Sequence, residues 1–238
     1  PDALPIYSRL NDYLRDKKNT PTMGGVMIIT AITACVLLLA DLRNYYIHLG
    51  LFCMVWLTVL GGIDDWLKLT IARRSGTRDG LKSYEKLLFQ IGLGVLLGIF
   101  VYRYGRENAN LALVPGQLEM VRIETFRILN VPFYKAGILL GIPAFLIVTV
   151  LVTAGTSNAV NLTDGMDGLA TGCMALCSFV FMVLSALGGD PEQSHLLLFP
   201  YIPETGELAI LCGAIMGACL GFLWYNCHPA QVFMGDTG

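Results

Sequence analysis

Six stretches of about 18–20 mostly apolar residues, near 23–40, 46–63, 86–103, 136–155, 169–187 and 208–225, constrain this chain more than any other feature. A helix rises about 1.5 Å per residue and the hydrocarbon core of a bilayer is about 30 Å thick, so each stretch approaches the length of a membrane span. Backbone amides and carbonyls cannot stay unpaired in hydrocarbon, which leaves helix as the conformation for such stretches. With 55% apolar and 14% charged residues and a mean hydropathy of +0.61, the composition excludes an ordinary soluble domain. The fold expected is all-α: a polytopic helical membrane protein, a single integral domain over residues 1–238.

Between the third and fourth stretches the pattern changes. Residues 117–123 and 125–129 alternate in places after a Pro115-Gly116 turn signal, which predicts a short β-hairpin within about 110–134. Counting spans puts residues 1–22 and the segments after spans two, four and six on one face. That face carries ten of the 16 Lys and Arg residues, so it is assigned as cytoplasmic and the hairpin as extracytoplasmic. The net charge of −2, without a basic stripe, gives no case for nucleic acid. Six of the seven cysteines lie inside the stretches and read as packing residues. Gly94 and Gly98, and Gly213, Gly217 and Gly221, have the spacing of close helix contacts.

The polar residues carry the chemistry. Asp64-Asp65, Asp164 with Asp167, and Asp236 each fall just past an apolar stretch, and by the same count all share the cytoplasmic face. Carboxylates are expensive in hydrocarbon, so their convergence at one boundary points to a polar site, with solvated loop acids as the plainer alternative. Adjacent carboxylates at 64 and 65 repel unless a cation or proton intervenes, and Lys68 lies one helical turn from Asp64. In residues 158–169, Asn158, Asn161, Asp164 and Asp167 supply oxygen donors while Gly165 and Gly168 permit close turns. Residues 224–238 present Asn226, Phe233 and Asp236; Phe233 suits either base stacking or an interfacial anchor, and Asp236 suits a hard cation. Lys17 and Lys18 beside Thr20–Gly25 read as a patch for acidic lipid or as an anion site at a helix start. Together these groups are an inventory for magnesium-assisted phosphoryl transfer.

Four motifs, TPTMGG at 20–25, DD at 64–65, NAVNLTDGMDGLA at 158–170 and PAQVFMGDTG at 229–238, resemble the polyprenyl-phosphate N-acetylhexosamine-1-phosphate transferases. TPTMGG, Thr163-Asp164 and Thr237 are similar to the phospho-N-acetylmuramoyl-pentapeptide branch rather than the GlcNAc-1-phosphate branches. The resemblance implies a bacterial plasma-membrane enzyme with a cytoplasmic active site. It would join UDP-MurNAc-pentapeptide and undecaprenyl phosphate to give lipid I and UMP, with Mg²⁺ as cofactor, and it leaves room for a homodimer. It further implies Asp236 and Asn161 as metal ligands and Asp64 as the group that deprotonates the lipid phosphate, with Asp65 beside it. Lys18, Thr22 and Lys68 would face phosphates, and Asn158, Asp164, Gly165, Asp167, Asn226 and Phe233 would line the nucleotide. The family has ten spans and a histidine-rich loop beyond the Gly-Asp motif, so the resemblance implies a chain incomplete at both ends. A secondary transporter is the rival class, but it would hold carboxylates near the midplane within an internal repeat, and no repeat is visible.

Overall fold

The computed structural model describes residues 21, 23–75, 80–108, 110–113, 120–123, 125–131 and 137–237. Six long helices dominate: α1 Gly25–Leu39, α2 Tyr45–Ser75, α3 Ser83–Glu107, α4 Ile142–Thr163, α5 Leu169–Gly189 and α7 Leu208–Asn226, with a short α6 at Pro191–Leu196. Five of them, all but α1, are long and apolar enough to cross a membrane. At 15 residues, α1 would extend only about 22 Å. It begins at Gly25 because Gly24 and Gly25 pair with another part of the chain, and its helical path stops at the extended Ala40.

Two helix boundaries differ from expectation for local reasons. The fourth span starts at Ile142 rather than near 136, because Gly141 caps the helix and Pro143 sits in its first turn, where a missing N–H costs nothing. It also runs on to Thr163, through the asparagines. Asn158 stays helical by donating its amide to Gln90 Oε1 (2.7 Å) and to the Ala154 carbonyl (2.8 Å), while Gln90 donates to Ser157 Oγ (3.0 Å). Gln90 is buried, so this is an interhelical polar clasp of the kind that joins membrane helices. Likewise α2 does not end at the aspartates but carries Asp64, Asp65 and Lys68 within one continuous helix.

The helices pack in two groups joined by α2. In one, α5 and α1 both lie against α7, and Ile28, Ile32, Val36, Ala170, Leu211 and Phe222 form a core with Ile47 of α2 and Met234. In the other, α3 lies along α4, and a Cβ at Gly94 would stand 2.8 Å from the Val150 Cα, so small residues set that approach. The second glycine series differs from expectation. Gly213 faces Met182, but among the described residues no side chain approaches Gly217 or Gly221. The outward surface is apolar, with Leu38 83% and Leu176 71% exposed, as lipid-facing helices require. All seven cysteines are free.

A two-stranded antiparallel hairpin is present, β1 Asn110–Leu113 with β2 Met120–Ile123, in the register Asn110↔Ile123 to Leu113↔Met120. A smaller ribbon pairs β3 Ile128–Leu129 with β4 Ile138–Leu139. Both follow the end of α3 remote from Lys86. At the same end Tyr104 stacks on Tyr45 at 3.8 Å and donates its hydroxyl to Glu204, an interfacial aromatic arrangement.

Candidate active site

The site is assembled around the segment Phe233–Thr237, which threads between the start of α1 and the middle of α2. Gly24 N–H donates to the Phe233 carbonyl (2.9 Å), Gly25 N–H to the Met234 carbonyl (2.8 Å), and Phe233 N–H to the Pro21 carbonyl (2.9 Å). The amides expected to receive an anion at the α1 start are therefore engaged by backbone carbonyls. Gly235 turns the chain at φ +75°, a conformation that costs glycine little. Beyond the turn, Asp65 accepts from the Asp236 N–H (3.2 Å), the Thr237 N–H (2.9 Å) and the Thr237 hydroxyl (2.5 Å). Both oxygens of Asp65 thus hold the loop.

On the other side of the loop stands a close charge cluster. One oxygen each from Asp64, Asp65 and Asp236 lie within 4.8 Å of one another. Lys68 Nζ donates to Asp64 Oδ2 (2.7 Å) and Asp236 Oδ2 (2.8 Å), and Lys86 Nζ donates to the same two atoms at 2.7 Å each. Asp64 is fully buried, and its other oxygen accepts the Leu81 N–H at 2.6 Å. A buried carboxylate this well partnered is tolerable; removing its partners would leave an uncompensated charge. The Asp236 side chain is 21% exposed and that of Asp64 only 1%, so Asp236 is the carboxylate open to an incoming ligand.

The donors suit a hard divalent cation, because carboxylate oxygens are its preferred ligands and one of them is accessible. The two ammonium groups now bridge Asp64 and Asp236, and their flexible stems let them move onto a phosphate. Asn161, in the last turn of α4, is exposed, as is Asp164, the residue that ends that helix. Partial burial, and secondly the charge of Asp236, raise the Asp164 carboxyl above its ordinary pKa. The α4–α5 turn therefore lies within electrostatic reach of the cluster.

The remaining predicted residues fall into three groups. Asp167 lies in the same turn with its carboxylate almost wholly buried, 3.1 Å from His228 Nδ1, and Gly165 is exposed there. Asn158 and Asn226 are tied into the protein: Asn226 is buried, accepts from Gly168 N–H and the Thr171 hydroxyl (both 3.1 Å), and donates to the Val232 carbonyl (2.9 Å). Both amides thus tie helices together, Asn158 through Gln90 and Asn226 through Gly168 and Thr171. Phe233 is half-buried at the α1 edge, and Lys18 and Thr22 lie outside the described residues.

Three functional candidates escaped sequence reasoning. Lys86 entered only as a charge on one face, although a cation opening a span on the aspartates' side was the available signal. Gly61 was not singled out in the sequence, yet a Cβ there would meet the Asp236 carbonyl oxygen at 1.9 Å. His228 had no signal beyond proximity to the Gly-Asp motif.

Comparison with known proteins shows the family. The sequence profile of glycosyl transferase family 4 matches residues 47–238, and signature 1 of the phospho-N-acetylmuramoyl-pentapeptide-transferases matches residues 17–29. A phospho-N-acetylmuramoyl-pentapeptide-transferase of Rickettsia akari is 41% identical over 238 residues, all of this chain and 60% of that protein. One from Desulfotalea psychrophila is 42% identical over 223 residues, 93% of this chain and 56% of its own length. The chain thus spans about 60% of the length of such relatives. With these relatives and five helices fit to cross a membrane, it is a multi-pass bacterial membrane protein, and the profile match across both the aspartate pair and the Gly-Asp motif places it in glycosyl transferase family 4.

Proposed function

We propose that this chain carries the catalytic centre of a phosphoglycosyl transferase that moves phospho-MurNAc-pentapeptide from UDP-MurNAc-pentapeptide to undecaprenyl phosphate. The observation that supports this reading best is the joining of Asp64, Asp236, Lys68 and Lys86 at one end of the helix bundle. Such a location matches the substrates, since a lipid phosphate sits at headgroup depth and a nucleotide arrives from water. The excess of Lys and Arg counted on that face supports a cytoplasmic assignment.

Like charges oppose the reaction, because an anionic phosphate must attack an anionic pyrophosphate. A lipid phosphate oxygen bonds to the sugar-linked phosphorus, the bond from that phosphorus to the bridging oxygen breaks, and its electron pair leaves with UMP. Asp236, with Asn161, would hold Mg²⁺, which when bound neutralises pyrophosphate charge and stabilises the departing oxygen. Lys68 and Lys86 turn from the carboxylates onto phosphate oxygens as substrate enters, while Asp65 keeps the loop in place. Asp64 then aligns the attacking phosphate and takes any proton left on it; a monoester with a second pKa of about 6 is mostly dianionic at neutral pH.

The complete protein should release UMP from UDP-MurNAc-pentapeptide only when undecaprenyl phosphate and Mg²⁺ are present. For Asp64→Asn, kcat should fall by roughly a hundredfold or more while nucleotide affinity changes little. Equal losses in affinity and rate would make Asp64 a substrate ligand, and UMP release without a lipid acceptor would overturn the transferase reading.

A further inference from the structure

Gln90 sits inside the α3 span and is 4% exposed, a place where an apolar side chain would fill the same space without desolvation. It turns both ends of its amide to α4: Nε2 donates to Ser157 Oγ (3.0 Å) and Oε1 accepts from Asn158 Nδ2 (2.7 Å). Hydrogen bonds between membrane helices add only modest stability. Two bonds of opposite sense to neighbouring residues do something packing does not, since they hold α4 against both sliding along α3 and turning about its own axis.

The clasp lies one helical turn from the charge cluster. Lys86, four residues before Gln90, bridges Asp64 and Asp236 at 2.7 Å each, and Asn161 comes four residues after Ser157. Gly98 lies against Leu146, Gly94 against Val150 and Gln90 against Asn158, so the helices run antiparallel and the next turn brings Lys86 level with Asn161. Among the described elements α4 lies along α3 and meets α5 only slightly. Asn161 therefore takes its place at the site from the seat of α4 on α3. A slide of one residue, about 1.5 Å, would break both bonds of the clasp and carry Asn161 away from that level.

We propose that Gln90 is a positioning residue of the transfer site: through Ser157 and Asn158 it fixes the register of α4 on α3 and so sets Asn161 opposite Lys86 and Asp236. This rests on the transferase reading above and on its assignment of Asn161 to the metal. Gln90 itself touches neither metal nor substrate.

The test uses the complete protein with UDP-MurNAc-pentapeptide, measuring Mn²⁺ affinity by electron paramagnetic resonance and the Mg²⁺ concentration that gives half-maximal UMP release. In Gln90→Met, which keeps the length of the side chain without its amide, both constants should rise about tenfold, as for loss of a group that orients a metal ligand. The thermal unfolding midpoint should stay near that of the unaltered protein. Ser157→Ala removes one bond of the clasp and should raise both constants by less; Ser157→Thr, which keeps a hydroxyl, should leave them unchanged. Adding Gln90→Met to Asn161→Ala should weaken Mn²⁺ no further, because the clasp acts through Asn161. A lowered unfolding midpoint with unchanged metal constants would make Gln90 a structural residue only and overturn the proposal. So would equal effects of Ser157→Ala and Ser157→Thr, which carry the test should Gln90→Met not fold, or an undiminished Gln90→Met effect in Asn161→Ala. Absence of UMP release from the unaltered protein would instead overturn the transferase reading, and this inference with it.

Discussion

Asp236→Asn in the complete protein is expected to lower magnesium-dependent UMP release by about a thousandfold or more while leaving the protein folded. The side chain keeps its shape but loses its charge, and it is the exposed member of the cluster, with 21% of its side chain accessible. Charge is what the position supplies: Asp236 Oδ2 meets both Lys68 Nζ (2.8 Å) and Lys86 Nζ (2.7 Å). Asparagine would also leave two ammonium groups sharing Asp64 alone, so they would hold phosphate in a different place. Retention of the fold follows because the loop is fixed by backbone and Asp65 contacts that the substitution does not touch. Activity measured as UMP released, beside a thermal unfolding curve matching the unaltered protein, checks both halves. A rate within tenfold of normal would remove Asp236 from the chemistry.

Gly61→Ala should be nearly as damaging, although residue 61 touches no substrate. A Cβ at this position would lie 1.9 Å from the Asp236 carbonyl oxygen, 2.6 Å from its carbonyl carbon and 2.9 Å from the Thr237 Cα. All three are backbone atoms, so no side-chain rotation relieves the clash and the loop must move. Overpacking of this kind costs about 1–3 kcal/mol, and a displacement near 1 Å at a reacting group costs about a hundredfold in rate. Alanine at the adjacent Gly62 is the internal control, because there a Cβ meets nothing within 4 Å among the described residues. Both changes favour helix equally, so helix propensity cannot distinguish them. Steady-state kinetics should show kcat falling about a hundredfold in Gly61→Ala and staying near normal in Gly62→Ala. Equal behaviour of the two would mean that α2 does not seat the Gly-Asp loop.

The helical architecture was legible because hydrocarbon permits few alternatives, and the alternation before residue 130 announced the hairpin. Asp64, Asp65, Lys68 and Asp236 were legible as well, since each interrupts an apolar context at a cost that packing does not explain. The polar amides were harder to read. Asn158 and Asn226 look like ligands in one dimension, yet their hydrogen bonds go to Gln90, Gly168, Thr171 and Val232. An amide bonded to a distant helix is written the same way in sequence as one that awaits a substrate. Gly61 shows the converse: its role depends on a loop far along the chain, and the local GlyGly pattern suggests only close helix packing. The start of α4 was displaced because apolar residues 138–141 continue the hydrophobic run, whereas the turn chemistry of Gly141 and Pro143 sets the boundary.

Paramagnetic Mn²⁺ in place of Mg²⁺ puts the convergence of the α2 aspartate and the Gly-Asp loop to direct trial. Titrated into the complete protein with UDP-MurNAc-pentapeptide and followed by electron paramagnetic resonance, it should occupy one site per chain with phosphorus coupling. That site should vanish in Asp236→Asn and weaken in Asp64→Asn. Mn²⁺ binding indifferent to both substitutions, or a bound ion without phosphorus coupling, would contradict a shared metal and pyrophosphate pocket.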